Sequence, residues 1–368
     1  MTDEEFMRDV LQRIATGPTL SKDLPREDAT RAMQIILDGK ADEVQAGIFF
    51  IALRMKRETN DELIGILDAI NSSILPLQVN IDELLTIVDP YDGYLRSSPS
   101  SPFLPAVLAA CGQRVLTHGL ESMGPKFGAT HHAVLHAAGY KLPSNRQEVA
   151  SALENKRIGW SYASQQLLAP KLAALSALRT RIVKRPSLTT IEVAINSIVP
   201  GGSSHLVTGF VHKPYPPIYA SLAAAAGFSS TLVVRGVEGG VVPSLSQPAR
   251  YFASVGEEEL LQVDICPKDI GINRSERAVP LPATLHSDSI RSVKAPENPF
   301  ADELATYSAN LGIRALNAEE GYTRDSLVYA AAIILHGRCL TQSMPEAADR
   351  VREVLDNGSA LAHFEADN

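Results

Sequence analysis

Two stretches of this chain carry side chains suited to holding an anion. Ser97, Ser98, Ser100 and Ser101 follow the turn Asp89-Pro90-Tyr91-Asp92-Gly93, and His118-Gly119, Ser122 and Lys126 follow the next apolar run. Hydroxyls, an imidazole and an ammonium placed just before a helix start at Thr130 are the groups that bind phosphate or carboxylate, because free N–H groups at a helix start add their partial charge. A third stretch, Lys171, Arg179, Arg181, Lys184 and Arg185, is basic; concentrated charge suits an acceptor carboxylate or a polyanion, and it equally suits a solvated helix face. Glu238, between Gly236 and Gly239-Gly240, could hold a metal or a ribose hydroxyl, or the glycines simply make the turn. No Ser/His or Cys/His pair marks a nucleophile, so chemistry here would rest on positioning and charge stabilisation. His132 and His136 share the i, i+4 spacing of zinc ligands, but with no third ligand in sight they read, with His131, as helix-surface residues.

The elements that must position these groups begin with a helical start. Thr2 with Glu5, and Thr59 with Glu62, make capping-box patterns; Gly17-Pro18 and Asp38-Gly39 stop helices, and Pro25 suits a first turn. The run Gly47–Leu53 (GIFFIAL) is too continuous for one amphipathic face and implies burial on several sides or an oligomer contact. Beyond Pro76 strands are expected at Leu85–Val88, Arg114–Thr117, Ile158–Tyr162, His205–Val211, Thr231–Val234 and Leu261–Ile265. Helices are expected near Pro102–Cys111, Thr130–Ala138, Arg146–Lys156, Pro170–Val183, Pro217–Ala226, Pro299–Ala315, Thr323–Leu340 and Pro345–Leu355. That alternation predicts an α/β fold, a mainly parallel helix-covered sheet behind a small helical subdomain. The subdomain is expected over 1–75, joined by the helix 170–185, and the α/β domain with an anion-binding cleft over 76–368. Ser100 and Ser101 sit where they would cap the helix after the first turn. Trp160 and Tyr162 read as buried aromatics, Ile270–Pro299 as a poorly packed connection, and the last residues, HFEADN, as a fraying end.

The totals set bounds. The chain has 368 residues, 45% hydrophobic and 21% charged, with a formal net charge of -8. An acidic total argues against wholesale attraction to nucleic acid or anionic membrane, though not against a local basic patch. Three scattered cysteines, Cys111, Cys266 and Cys339, show no metal or redox spacing, and the acidic N-terminus carries no secretory or transit pattern. No apolar run reaches membrane length, so a cytoplasmic protein without membrane partners is expected.

With the elements placed, the order of motifs resembles the anthranilate phosphoribosyltransferase family, whose fold is shared with pyrimidine nucleoside phosphorylases. The resemblance runs through the helical start LDGKADEVQAGIFFIALRMKRET, the strand-turn-helix ending AACG, the THG element, KFG, and DNGSAL near the end. It is stronger for a divergent paralogue branch with a PYDG-type turn, here Pro90–Gly93, and a GxEG element, here Gly236–Gly239. Lys184–Glu192 and Val207–Pro214 also look like that branch. The resemblance implies a phosphoribosyl pyrophosphate site, and the departures from it fall there. Where active members carry a GTGGD loop whose backbone amides cradle pyrophosphate, this chain has Asp89-Pro90-Tyr91-Asp92-Gly93, with a proline lacking N–H, a bulky tyrosine and added negative charge. Of the NxST motif only Ser101 matches; of KHGNR only His118 and Gly119, with Glu121 reversing a charge. The magnesium-binding Asp-Glu pair falls on Val237-Glu238, leaving one carboxylate. Each lost charge-assisted hydrogen bond is worth about 1.5–3 kcal/mol, and a few of them equal a micromolar site.

The expected function is therefore an anthranilate phosphoribosyltransferase-like protein of the glycosyltransferase class with a degenerate donor site, binding phosphate or another anion in the inter-domain cleft. His118, Gly119, Ser122, Lys126 and Ser101 would hold the anion, and Asp89, Tyr91, Asp92 and Gly93 stand at the donor-loop position. Arg185, Lys184 and Arg181 would meet an acceptor or polyanion, and Glu238 is a weak metal candidate. Mg²⁺ is implied only with a pyrophosphate donor. A non-catalytic homologue binding single-stranded nucleic acid, and a true anthranilate phosphoribosyltransferase, are the alternatives. The apolar helical start, which resembles the surface through which the family pairs, implies a homodimer.

Overall fold

A computed structural model describes residues 1–17, 19–256, 258–285 and 295–366. The first helices follow from their caps. Helix α1 (Asp3–Ile14) and α4 (Asn60–Ser72) both start in complete capping boxes, from Thr2 with Glu5 and from Thr59 with Glu62. Between them lie α2 (Arg26–Leu37) and α3 (Glu43–Lys56), the latter capped by Asp42. Phe49, Phe50 and Leu53 of α3 are buried, whereas Val44, Ile48 and Met55 are exposed. They line, with Ile14, Ala52 and Ile182, an apolar groove of about 610 Å³. The continuous GIFFIAL run thus serves both a core and an open surface.

The α/β part is a single seven-stranded sheet in the order β4-β3-β2-β6-β7-β8-β9. Its strands are β2 (Glu83–Val88), β3 (Val115–Gly119), β4 (Trp160–Ser164), β6 (Ser203–Phe210), β7 (Ser230–Arg235), β8 (Ala249–Val255) and β9 (Leu261–Ile265). From β4 to β7 the pairing is parallel; β8 and β9 are antiparallel additions. A short parallel pair, β1 (Leu77–Val79) with β5 (Ile198–Pro200), stands apart. The two short strands and β8 escape sequence reading: three residues give no periodicity, and ARYFASV in β8 is buried at only alternate and irregular points.

Alternation along the central strands divides the interior into two cores, because successive side chains leave opposite faces. Leu85, Ile87, Val115, Val207 and Leu232 face the C-terminal helices Pro299–Leu316, Tyr322–Gly337 and Met344–Asp356. Leu84, Val88, Leu116 and Leu206 face the side that continues into α1–α4. The expected helix over 170–183 is broken into Pro170–Ala173 and Ser176–Ile182, with Val183 in the left-handed region. Its second piece lies on α3, where Arg181 pairs with Glu43 at 2.6 Å.

Two expectations are corrected at the C-terminal end. Ile270, Ile272, Val279 and Leu285 are buried, so the described part of Ile270–Pro299 is packed rather than loose. Residues 286–294 of that connection, Pro18 and the last two residues lie outside the described residues. The end does not fray before them: Ser359–Glu365 is helical, Phe364 stacks on Trp160 at 5.8 Å, and the Trp160 indole donates to the His363 carbonyl at 3.0 Å. An aromatic anchor outweighs the entropy of a chain end.

Candidate functional site

The first loop leaves β2 and the second leaves β3, its parallel neighbour, so both rise from the carboxyl edge of the sheet where such folds bind ligands. The loops are welded by backbone. Tyr94 N–H donates to Ala129 O at 3.0 Å, Ala129 N–H returns to Tyr94 O at 2.8 Å, and Gly128 N–H donates to Asp92 O at 2.9 Å. Gly93, at φ +73°, and Gly128 make this approach feasible: a Cβ would stand 2.6 Å from Gly128 O in the first case and 2.4 Å from Tyr94 O in the second. The glycine of the turn therefore serves loop-to-loop packing, and the amides it brings close are already bonded.

Beneath the weld lies a buried carboxylate. Asp89 Oδ2 accepts from Tyr94 OH at 2.5 Å, Ser101 Oγ at 2.5 Å and His131 Nε2 at 3.0 Å, while Oδ1 accepts from Val241 N–H at 2.9 Å. Burial alone would raise the Asp89 pKa; the His131 charge and the bonds from His131, Ser101 and Tyr94 outweigh it and hold the group below the usual carboxylate range. Burial, and then the Asp89 charge, pushes the Tyr94 phenol well above its ordinary value. Ser101 is thus removed from the anion set, and neither it nor Ser100 caps the following helix through its side chain. His131 is a buried hinge between Asp89 and Thr117, not a helix-surface residue. His132 is mostly buried against Tyr162, and only His136 keeps the exposed place expected for all three.

His118 lies in β3, enclosed, with Nδ1 bonded to the Tyr91 hydroxyl. Burial, helped by the His131 charge, pushes its pKa down to about 3. At neutral pH it is a neutral imidazole and attracts no anion by charge. Gly119 borders Tyr162. Tyr91 is buried and not a lid over a ligand.

The free end of the first loop holds a different arrangement. Glu238 Oε1 accepts from Arg96 N–H at 2.9 Å and Ser97 Oγ at 3.0 Å; its Oε2 accepts from Leu95 N–H at 3.2 Å and Lys126 Nζ at 3.2 Å. Successive amides, a hydroxyl and an ammonium are the donor set of an oxyanion site, here filled by the chain's own carboxylate. Lys126 Nζ also stands 3.9 Å from Asp92 Oδ1 and 5.7 Å from the centre of the Tyr94 ring. Asp92 Oδ2 accepts from Arg185 Nε at 2.9 Å and from its terminal nitrogen. Both cations assigned to anion and acceptor thus face internal carboxylates. The same geometry tests the magnesium implied by the resemblance: four N–H and O–H donors point at Glu238 and Arg185 grips Asp92, so this donor set suits an anion and repels a cation. Among the described residues no cluster of three or more His, Cys, Asp or Glu side chains has metal-holding geometry.

The remaining expected residues go elsewhere. Ser122 opens on a separate cavity of about 480 Å³ with Glu121, His132 and His136, and bonds Pro296 O at 3.4 Å. Four of the five cations of the basic run face acids: Lys171 with Asp38 at 2.6 Å, Arg181 with Glu43 at 2.6 Å, Arg179 with buried Glu192 at 2.6 Å, and Arg185 with Asp92. Lys184 is exposed. The run offers no continuous positive groove. Sequence reading missed Tyr94, the Leu95 and Arg96 amides, and Glu192, the buried partner of Arg179. Glu192 had a signal, a lone acid inside the apolar run Leu188–Ile195; backbone amides have none.

With this geometry in view, residues 8–74 match the helical bundle domain of the glycosyl transferase family and residues 100–361 match its a/b domain. An anthranilate phosphoribosyltransferase of Acidithiobacillus ferrooxidans is 28% identical over 98% of this chain and 97% of that protein. An uncharacterized protein of Aquifex aeolicus is 26% identical over 94% and 99%. Among solved structures, anthranilate phosphoribosyltransferase of Thermus thermophilus superposes with TM-score 0.73 at 20% identity, covering 98% of each chain. The Saccharomyces cerevisiae enzyme in complex with PRPP and Mg superposes with TM-score 0.73 at 14% identity, covering 99% and 97%. At these identities the structural likeness speaks to fold.

Proposed function

We propose that this chain, which belongs to the glycosyl transferase family that includes the anthranilate phosphoribosyltransferases, has kept that fold while its donor loop has become structural, and that it binds a small phosphate-type oxyanion at Lys126. The observation that carries this reading is the convergence of the Leu95 and Arg96 amides, Ser97 Oγ and Lys126 Nζ on one point. A few angstroms away the donors that would cradle a pyrophosphate are bonded within the chain: Tyr94 and Gly128 amides to the facing loop, Tyr94 and Ser101 hydroxyls to Asp89. A diphosphate with its divalent cation needs both places, a single phosphate only one. No step here runs through a metal.

Thermal-shift titration separates this reading from its rivals. Inorganic phosphate at constant ionic strength is expected to raise the melting temperature, because a ligand of the native state alone stabilises it. Phosphoribosyl pyrophosphate with Mg²⁺ is expected to add nothing beyond its phosphate content; a much larger shift would restore the true transferase reading. A single-stranded oligonucleotide is expected to have no effect, since four of the five cations of the basic run are paired with acids; a shift that fades with salt would favour the polyanion reading. The apolar groove of α3 supports pairing of two copies, read by sedimentation as a dimer that Met55→Glu splits. Free cysteines at 111, 266 and 339, and no helix among the described residues long and apolar enough to cross a membrane, support a cytoplasmic setting.

A further inference from the structure

Glu238 fills a donor set that a bound oxyanion could use, and its own turn does not depend on that side chain. Its turn is held by backbone: Val237 N–H donates to Val242 O at 2.8 Å and Gly240 N–H to Val237 O at 3.0 Å. The turn is also jammed against its neighbours, since a Cβ on Gly240 would meet the Tyr94 oxygen at 1.7 Å. The turn's backbone is thus closely packed, and the Glu238 side chain is the part that can leave without displacing it. It reaches the nest from a left-handed residue, φ +53°, and is 8% exposed at the rim of the loop pair.

We infer that Glu238 is an internal occupant of a phosphate site, and that a phosphate group binds by displacing its carboxylate from the Leu95–Arg96–Ser97 nest. The inference rests on the reading of the Lys126 loop as an oxyanion site and adds who holds it in the resting protein. Charge decides the order of events. Lys126 and Arg185 balance Glu238 and Asp92, so the closed site is neutral. A phosphate monoester brings about -1.5 to -2 charge and cannot lie beside the Glu238 carboxylate within one nest, because like charges at contact distance in a partly buried site repel with little screening. When Glu238 swings out, the incoming phosphate inherits two amides, a hydroxyl and an ammonium without rearrangement of either loop. The device selects ligands with more charge and more acceptor atoms than a carboxylate, so acetate or a simple carboxylic acid gains nothing over the resident group.

The test is phosphate affinity of the full chain by isothermal titration, with ionic strength held by chloride, using inorganic phosphate and ribose 5-phosphate as probes to separate a site for the free ion from one for a monoester. Glu238→Ala is expected to bind at least tenfold tighter than wild type, Glu238→Gln to fall between, and adding Lys126→Ala to Glu238→Ala to remove the gain. In the wild-type protein, saturation with phosphate is expected to shift the Leu95 and Arg96 amide resonances, a readout that needs no variant. Equal affinity of wild type and both Glu238 variants, with Lys126→Ala still abolishing binding, overturns the displacement and leaves the oxyanion reading standing. No binding by any form, with no amide shift, overturns both.

Discussion

The knot around Asp89 and the rim around Glu238 are two carboxylates in similar company with opposite prospects. Each accepts four hydrogen bonds from the same loop region. Asp89 sits 3% exposed at the end of β2, and its donors include the buried side chains of Tyr94, Ser101 and His131, which cannot turn to solvent. Glu238 reaches in from a turn, and its donors are amides, a serine and a lysine that water or an anion would satisfy as well. Hydrogen-bond number does not distinguish a structural carboxylate from a displaceable one. What distinguishes them is the state of the donors once the carboxylate has gone.

Four measurements sharpen the contrast. Asp89→Ala strips a buried acceptor from four donors, of which Ser101 and His131 also bond each other at 3.1 Å, and about 3–5 kcal/mol of unfolding free energy is expected to disappear in urea titration. Next comes acid. Native His118 resists protonation down to about pH 3, whereas the unfolded chain takes up a proton near pH 6.5. The unfolded state therefore binds more protons in that window, and stability is expected to fall with falling pH at about 1.4 kcal/mol per unit from this residue. His118→Gln should flatten the decline measured by urea midpoints between pH 7 and 4. Asp89 acts later and in the same direction: its folded pKa is depressed, so its contribution is whole above the unfolded value of about 3.9 and is lost as the pH falls from there through the folded value. Glu238→Ala is expected to cost about 1 kcal/mol or less in the same assay, because the Arg96 amide belongs to an exposed residue and the Lys126 ammonium is partly exposed. A loss as large as that of Asp89→Ala would erase the distinction between knot and rim. Arg181→Ala, removing a pair with Glu43 whose side chains are 58% and 66% exposed, should leave the urea midpoint indistinguishable from wild type, since water screens an exposed pair.

Much of the architecture was legible beforehand, for reasons that individual residues make plain. Thr2 with Glu5 and Thr59 with Glu62 announce helix starts because a cap is satisfied within one turn. Leu84 to Val88 announces a doubly buried strand because both faces of a parallel sheet are covered. The break of 170–183 at Ala174-Leu175 was not legible, since nothing local forbids a helix there and the bend follows the contact with α3. Phe364 looked like part of a loose end because its partners, Trp160 and Phe103, lie far away in sequence.

The site divides along the same line. From the sequence and its resemblance to the family came the expectation of a closed donor loop, because Pro90 has no N–H and Asp89 and Asp92 carry charge wherever they are placed. The chain could not tell which charges cancel. Lys126 and Arg185 read as open cations, and their partners Glu238 and Asp92 read as a metal ligand and an obstacle. Glu238 stands 142 residues from the amide it accepts from and Arg185 stands 93 from Asp92. Local sequence fixes which groups are ionic and which segments are rigid, since those are properties of a residue and its near neighbours. Only the folding of β2, β3 and the Glu238 turn onto one sheet edge decided that an anion site and the anion filling it would come from the same chain.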